Sequence, residues 1–151
     1  MKGYLDNPDA TADTITSGGW LHSGDIAYYD EQGRFYIVDR LKELIKVKAF
    51  QVAPAELEDL LRSHPKILDA GVIGVPDEKR GEAPLAFIVK KPYINLDEET
   101  VHSFVNQRMV EYKRLSGGIK FIDAIPKTES GKILRKDLRE EYLFRLSLLS
   151  C

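Results

Sequence analysis

Hydrophobic positions follow helix and strand periods in turn along residues 54–149, which predicts helices and strands packed in layers. The predicted helices carry an apolar residue at every third or fourth position, and two of them begin at favourable residues, Pro54 and the capping residue Asp97. The predicted strands are apolar runs that polar turns separate. In chain order the elements are helix 54–64, strand 67–75, strand 84–90, a helix from 98, strand 119–125 and helix 134–149.

This order predicts an α+β fold with a three-stranded, mainly antiparallel sheet flanked by helices. Ahead of it, residues 43–52 alternate in part between apolar and polar, which predicts a small two-stranded ribbon. The helix that follows Asp97 is expected to bury Val101, Phe104, Val105 and Tyr112. The apolar positions of the last helix are Leu134, Leu138, Tyr142, Leu146 and Leu149.

Residues 1–38 have a different pattern. A short helix is predicted from Asn7, a break at residues 17–19, and a hairpin whose strands are residues 20–29 and 34–38. One helix and one hairpin bury too little surface to form a core in water. We therefore interpret this part as the trailing edge of another, larger domain.

Composition excludes several classes of protein. The chain has 151 residues, 43% of them hydrophobic and 30% charged, which is typical of a globular protein rather than a disordered one. The formal net charge of −2 argues against a dedicated nucleic-acid-binding protein. The single cysteine is Cys151, so an internal disulfide is not expected.

Targeting signals are not evident. Polar residues 6–9 stand where a signal peptide would have its apolar core, and the longest apolar runs, such as residues 85–89, are far too short to span a membrane. The chain ends in Ser150-Cys151 rather than in the peroxisomal signal Ser-Lys-Leu. We expect an intracellular protein, cytoplasmic or peroxisomal, without a membrane span.

Lys132 lies in a polar turn, Thr128–Lys132, just before the last helix. A phosphate loop would need glycine at position 126 and a hydroxyl residue at 133, where the chain has Pro126 and Ile133. What remains is a lysine on a flexible turn, suited to reach a phosphate or a carboxylate. The alternative is a solvated surface lysine.

Basic residues at every second or fourth position, namely Arg40, Lys42, Lys46 and Lys48, would share one face of an extended segment. That face is an anion site, a basic stripe for nucleic acid, or an ordinary solvated surface. The nucleic-acid interpretation is disfavoured because Phe50 alone interleaves with the basic residues and the net charge is negative. Asp25 follows Gly24 at the start of the hairpin and has two similar interpretations: a ligand of ribose hydroxyls, or a turn aspartate bonded to backbone amides.

No metal-binding spacing is found among the three histidines, His22, His64 and His102. A nucleophile elbow of the Gly-x-Ser-x-Gly type is also missing, and a terminal cysteine is a poor nucleophile. Metal and hydrolytic chemistry are therefore not predicted.

Taken together, four stretches resemble the C-terminal part of the adenylate-forming enzymes, which include 4-coumarate–CoA ligase, acyl-CoA synthetases and firefly luciferase. The stretches are residues 19–26, 38–46, 51–58 and 125–133, in this order. The resemblance extends to about Arg139. It implies an ATP-dependent, AMP-forming acid–CoA ligase, in which an acyl-adenylate forms from ATP and a carboxylic acid and CoA then takes the acyl group.

The resemblance also implies a domain organisation. Residues 1–38 would be the end of a large domain that binds ATP and the acid, residues 39–42 the hinge, and residues 43–151 a small lid that closes for adenylation and rotates for the second step. The partners would be MgATP, the carboxylic acid, CoA and the chain's own large domain. Because the glycine-rich ATP loop of the family is missing here, we expect this chain alone to be inactive.

Roles in adenylation follow by position in the family motifs. Lys132 corresponds to the lysine that neutralises charge on the α-phosphate and the acid. Such a cation is useful because charge builds on the phosphoryl oxygens in the transition state. Asp25 corresponds to the carboxylate that holds the ribose hydroxyls, and Arg40 to an arginine that contacts the nucleotide.

Roles in the second step follow in the same way. Lys42 would lie at the pivot, Lys46 and Gln51 would be catalytic residues facing the site of the second half-reaction, and Lys48 would contact CoA. The family usually has glycine where this chain has Ala49. If that position had positive φ, alanine would cost about 1–2 kcal/mol; if the pantetheine arm passes there, the methyl group would narrow its passage.

Two other functions stay open at this point. One is a luciferase-type adenylate-forming enzyme with a different second step. The other is a non-catalytic binding module that kept the fold, although such a module would not need both Lys132 and Asp25.

Overall fold

The computed structural model describes residues 1–149, and the side chain of Leu149 lies outside what it describes. Cys151, on which the expectation about disulfides rests, also lies outside the described residues. The chain divides into two compact units, of which the first is Met1–Lys42 and the second begins at Glu43.

The first unit consists of a short helix and a hairpin. Helix α1 (Pro8–Thr14) has a proline in its first turn, and the side chain of Asn7 caps it by accepting a hydrogen bond from the amide of Ala10. Strands β1 (Asp25–Tyr29) and β2 (Phe35–Arg40) pair antiparallel. A helix and a hairpin were therefore predicted in the right places.

The strand ends differ from the prediction. Residues 20–24 were expected to belong to the first strand, but Gly24 has a φ of +73°, a left-handed conformation that interrupts extended backbone. Strand β2 continues two residues beyond Val38, and its last residue, Arg40, pairs with Asp25.

The second unit is built on a five-stranded sheet. Its strands are β3 (Ile45–Val47), β4 (Phe50–Val52), β5 (Ile67–Asp77), β6 (Gly81–Lys90) and β7 (Gly118–Phe121). They lie in the order β4-β3-β6-β5, and β7 pairs with β6 as well. All pairs are antiparallel except β6 with β7. The α+β class with a mainly antiparallel sheet is confirmed, and the ribbon β3–β4 joins that sheet through the pairing of Val47 with Gly81.

Three helices flank this sheet: α2 (Pro54–Arg62), α3 (Glu98–Asn106) and α4 (Arg135–Leu149). As predicted, Pro54 opens α2 and Asp97 caps α3 by accepting a hydrogen bond from the amide of Thr100 at 2.7 Å. Within residues 1–149 no helix is long and apolar enough to cross a membrane.

Two details of the prediction are wrong. Tyr112 lies not on α3, which ends at Asn106, but on a separate 3-10 helix, Glu111–Lys113, where its ring stacks on Phe50 with centroids 4.2 Å apart. The predicted strand 119–125 ends at Phe121. The amide of Ile122 still donates a hydrogen bond to the carbonyl oxygen of Ile88 on β6, and residues 123–125 lie outside the ladder.

The sheet is buried on both faces. Alternate residues of a strand point to opposite faces, and in β5 Val72 belongs to one core cluster while Ile73 belongs to the other. The first cluster contains the apolar faces of α2 and α3, and the second contains Leu138 of α4. Burial on both faces explains why the sequence shows continuous apolar runs here instead of alternation.

Candidate functional site

In the first unit, Asp25 and Arg40 face each other across the hairpin. They are register partners, and Nε of Arg40 lies 3.1 Å from Oδ1 of Asp25. Both side chains stay partly exposed, at 26% for Asp25 and 47% for Arg40. The two residues predicted to bind the nucleotide therefore form one polar patch that a ligand can reach.

Lys42 closes the same unit. It lies on a 3-10 helix, Leu41–Glu43, and its side chain is exposed. The backbone before it is fixed because the amide of Leu41 donates a hydrogen bond to the carbonyl oxygen of Gly24 at 2.8 Å. No ion pair of Lys42 is found within the described part of the chain.

In the second unit, the ribbon places Lys46 and Gln51 together. The two residues are directly opposite in the register of β3 and β4, so their side chains share a face, and both are exposed. The flanking residues Ile45, Val47 and Val52 point to the other face and are buried in the core. Burial of that apolar face therefore fixes which way Lys46 and Gln51 point.

The turn between the two strands consists of Lys48 and Ala49. Lys48 has a φ of +54°, and its amide donates a hydrogen bond to the carbonyl oxygen of Arg80 at 2.7 Å. Ala49 is exposed and does not have positive φ. The strain considered for Ala49 is thus not there; the left-handed residue of this turn is its neighbour.

Lys132 lies on a tight loop. Its backbone amide donates to Oγ1 of Thr128 at 3.1 Å, and its carbonyl oxygen accepts from the amide of Thr128 at 2.8 Å. Gly131, with φ of +82°, makes the reversal, and at the base of the loop Lys127 pairs with Ile133. The backbone of Lys132 is therefore held while its side chain is exposed.

The three lysines of the second unit that the family motifs point to are exposed and available to a ligand. Within residues 1–149, the side chains of Lys46, Lys48 and Lys132 make no ion pair, whereas Lys113 and Lys127 do. Unpaired ammonium groups on a held backbone are suited to bind phosphate or carboxylate oxygens.

Sequence reasoning missed an ion pair at the base of the Lys132 loop. Nη2 of Arg135 lies 3.0 and 3.1 Å from the two carboxylate oxygens of Glu58, and the side chains are only 10% and 4% exposed. Glu58 lies on the buried stripe of α2, at helical spacing from Pro54 and Leu61. A carboxylate on an apolar stripe is a signal that could have revealed a buried partner.

A second missed ion pair holds the other side of the loop. Nζ of Lys127 contacts Oδ2 of Asp69 on β5. The two residues are 58 positions apart in the chain, and neither stands out in its local pattern. Only the fold brings them together.

His64 is held by packing and a hydrogen bond within the second unit. The side chain of His64 is buried. Its ring is perpendicular to that of Phe104, with the two centroids 4.7 Å apart, and its Nδ1 accepts a hydrogen bond from the amide of Lys66. Burial, and then the charges of Lys66, Arg108 and Lys91, lower the pKa of His64. Residues 1–149 contain no cluster of three or more histidine, cysteine or acidic side chains that could hold a metal ion.

Comparison with known proteins matches this chain to one family. Residues 56–132 match the model of the AMP-binding enzyme C-terminal domain. A 4-coumarate–CoA ligase of Vanilla planifolia is 56% identical over 139 residues, which cover 92% of this chain and 25% of that protein. A luciferin 4-monooxygenase of Luciola mingrelica is 53% identical over 140 residues, which cover 93% of this chain and 26% of that protein.

A solved structure agrees with these matches. ATP-bound MatB from Rhodopseudomonas palustris superposes with a TM-score of 0.87 at 30% identity, over 93% of this chain and 28% of that one. The chain spans about a quarter of the length of the two relatives. On these findings and its α+β fold, the chain belongs to the AMP-binding enzyme C-terminal domain family.

Proposed function

We propose that this chain is the C-terminal part of an ATP-dependent acid–CoA ligase. The observation that carries the proposal is Lys132, a lysine without an ion pair in the described residues, whose backbone is held by Thr128. Membership of the AMP-binding family supports the same reaction class. The 4-coumarate–CoA ligase of Vanilla planifolia supports an acid as the substrate and CoA as the acceptor.

The first half-reaction joins the acid to AMP. A carboxylate oxygen of the acid attacks the α-phosphorus of ATP, and the bond to the bridging oxygen breaks so that pyrophosphate leaves with its electron pair. Lys132 neutralises the charge on the phosphoryl and carboxylate oxygens. Asp25 accepts hydrogen bonds from the ribose hydroxyls, and Arg40 holds that carboxylate while it contacts the nucleotide. Magnesium enters with ATP as part of the substrate.

The second half-reaction transfers the acyl group to CoA. The thiol of CoA loses its proton to solvent and its sulfur attacks the acyl carbon. The bond from that carbon to the phosphate oxygen breaks, and AMP leaves with the electron pair. Lys46 and Gln51 share one face of the ribbon and serve this step, and Lys48 and Ala49 lie in the turn that meets CoA. Residues 39–42 are the hinge, with Lys42 at the pivot, residues 1–38 complete the large domain, and residues 43–151 rotate between the two steps. We place the enzyme inside the cell, in the cytoplasm or peroxisome.

A luciferase-type second step is the alternative that one observation favours. The luciferin 4-monooxygenase of Luciola mingrelica is 53% identical to this chain, against 56% for the Vanilla planifolia ligase, and its name is that of an oxygenase. A module that binds a ligand without catalysing a reaction is the third possibility. ATP–pyrophosphate exchange distinguishes it from an adenylate-forming enzyme.

The test is ATP–pyrophosphate exchange in a chimera that joins this chain to the preceding three-quarters of the Vanilla planifolia ligase. We expect exchange with an aromatic acid, and a loss of about 100-fold or more in Lys132→Ala, the size expected when a transition-state charge contact of about 3 kcal/mol is removed. Lys136→Ala, an exposed lysine on α4, is the matched control and should exchange normally. Equal exchange in the Lys132→Ala and Lys136→Ala proteins would contradict the proposal, and exchange without acyl-CoA formation would favour the luciferase-type alternative.

A further inference from the structure

The loop that carries Lys132 is anchored to the sheet on both sides. Before the loop, Lys127 pairs with Asp69 of β5. After it, Arg135 pairs with Glu58, and Oε1 of Glu58 also accepts a hydrogen bond from the amide of Val72 at 2.9 Å, again on β5. Both anchors therefore lead to the same long strand, β5, which lies at the edge of the sheet and is paired with β6.

The Glu58–Arg135 anchor is the more buried of the two. Its side chains are 4% and 10% exposed, against 21% and 35% for Asp69 and Lys127. Nε of Arg135 is buried and, among the described residues, has no hydrogen-bond partner. A buried ion pair with an unsatisfied donor stabilises a fold little more than apolar side chains of the same volume would, and often less. The pair is therefore better explained by the geometry it imposes than by the stability it adds.

The ion pair constrains the position of Lys132 because only a short stretch of backbone connects Lys132 to Arg135. Arg135 is the first residue of α4, three positions after Lys132, and each residue spans at most about 3.6 Å. The amide of Leu134 donates to the carbonyl oxygen of Pro126 at 2.9 Å, so the two sides of the loop are tied to each other. A movement of Arg135 is therefore expected to move the backbone of Lys132 by a similar distance.

We propose that Glu58 and Arg135 are positioning residues for adenylation: their buried ion pair sets the position of the loop from which Lys132 reaches the α-phosphate. This inference rests on the proposed function. The pair acts through Lys132 and touches no substrate. Its loss should slow the first half-reaction, since a misplacement of about 1 Å at a reacting group can cost about 100-fold in rate. The second half-reaction, served by Lys46 and Gln51 on the ribbon, should be spared.

The decisive variant removes the ion pair without leaving a buried charge. In Glu58→Gln/Arg135→Met the glutamine oxygen can still accept the hydrogen bond from Val72, and methionine fills the volume of the arginine stem. In the chimera described above we measure pyrophosphate exchange, and separately the formation of thioester from supplied acyl-adenylate and CoA. The control is Lys136→Met/Glu140→Gln, which removes an exposed ion pair from α4.

We expect the buried double variant to lose about 10-fold or more of the rate of exchange at saturating ATP, while thioester formation stays within about two-fold and the control keeps both rates. An equal loss in both half-reactions would indicate a merely structural role and overturn the inference. A double variant that exchanges at the normal rate, while Lys132→Ala does not, would overturn the inference alone. Normal exchange in Lys132→Ala would overturn the proposed function and, with it, this inference.

Discussion

Gly117 lies directly against the backbone of Pro84. Its amide donates a hydrogen bond to the carbonyl oxygen of Pro84 at 2.9 Å, and a Cβ placed on Gly117 would stand 2.9 Å from that same oxygen. It would also stand 2.8 Å from a methyl group of Val75. This contact fixes the chain just before β7 joins β6, and only glycine allows it.

Gly117→Ala should therefore destabilise the second unit. Because two of its three close neighbours are backbone atoms that cannot turn away, we expect the free energy of unfolding to fall by about 1–3 kcal/mol, the usual cost of overpacking. Urea denaturation measures it. Ser116→Ala, at the exposed neighbouring position, is the control and should lie within about 0.5 kcal/mol of the natural protein. Equal stability of the two variants would show that the backbone can move apart here.

Arg135→Met should lower the free energy of unfolding by more than a typical substitution of an exposed side chain does. It leaves the carboxylate of Glu58, which is 4% exposed, without its charge partner, and removing one member of a buried pair costs about 3–5 kcal/mol. Adding Glu58→Gln removes the uncompensated charge, so most of that loss should be recovered. Denaturant unfolding of the single and double variants tests this, and a double variant no more stable than Arg135→Met would contradict it.

His64 should make stability depend on pH. Burial and the charges of Lys66, Arg108 and Lys91 lower its pKa in the folded protein, so below the ordinary value of 6.5 the unfolded chain binds a proton that the folded one resists. The contribution of His64 to the free energy of unfolding is fully present above pH 6.5, and it is lost as the pH decreases through that value towards the lowered pKa.

His64→Gln serves as the comparison because a glutamine oxygen can accept the hydrogen bond from Lys66 without titrating. The measurement is urea unfolding of both proteins at about pH 7.5 and about pH 5.5. We expect the natural protein to lose more stability than the variant on acidification. Identical losses would mean that His64 titrates normally.

The ribbon turn should respond oppositely to glycine at its two positions. Lys48→Gly relieves a residue with positive φ and should leave the free energy of unfolding unchanged or raise it by up to about 1 kcal/mol. Ala49→Gly relieves nothing and should lower the free energy of unfolding by about 0.4–1 kcal/mol through chain entropy.

In the chimera, Lys48→Gly should weaken CoA binding, whereas Ala49→Gly tests whether the methyl group narrows the passage of CoA. A stabilising effect of Ala49→Gly would show that the left-handed conformation lies there after all.

The 151-residue chain alone should not complete the reaction. With ATP, magnesium, an aromatic acid and CoA, we expect no AMP above background, because the chain spans about a quarter of the length of the Vanilla planifolia ligase. Chromatographic detection of AMP is sufficient, and the chimera provides the positive control. Robust turnover by the chain alone would contradict the proposal that the reaction needs the large domain.

Local pattern was enough to predict most elements of this fold. The start of α2 at Pro54 and the cap of α3 at Asp97 depend on residues within one helical turn, so the sequence shows them directly. The single extended segment expected to align Arg40, Lys42, Lys46 and Lys48 is not formed, because a 3-10 helix, Leu41–Glu43, separates β2 from β3 and Lys48 has positive φ. The family resemblance, rather than local pattern, indicated the roles of Asp25 and Lys132, which remain proposals.

Contacts between distant parts of the chain could not be predicted in this way. Glu58 and Arg135 are 77 positions apart, and each looks like an ordinary helix charge until the helices are placed on the sheet. Tyr112 was assigned to α3 because its spacing continued the helical pattern, but the helix ends at Asn106 and a separate turn places its ring on Phe50. Tertiary packing decided both outcomes.

The double burial of β6 has a consequence for how sequences of this architecture can diverge. Residues 83–89 are all buried, so this strand has no solvent-facing side on which substitutions could accumulate harmlessly. The ribbon turn and the Lys132 loop are exposed, so substitutions there displace no buried neighbour. The residues that maintain the fold and the residues exposed to a ligand therefore lie in separate parts of one small unit, so the exposed loops can change in sequence without altering the buried strand.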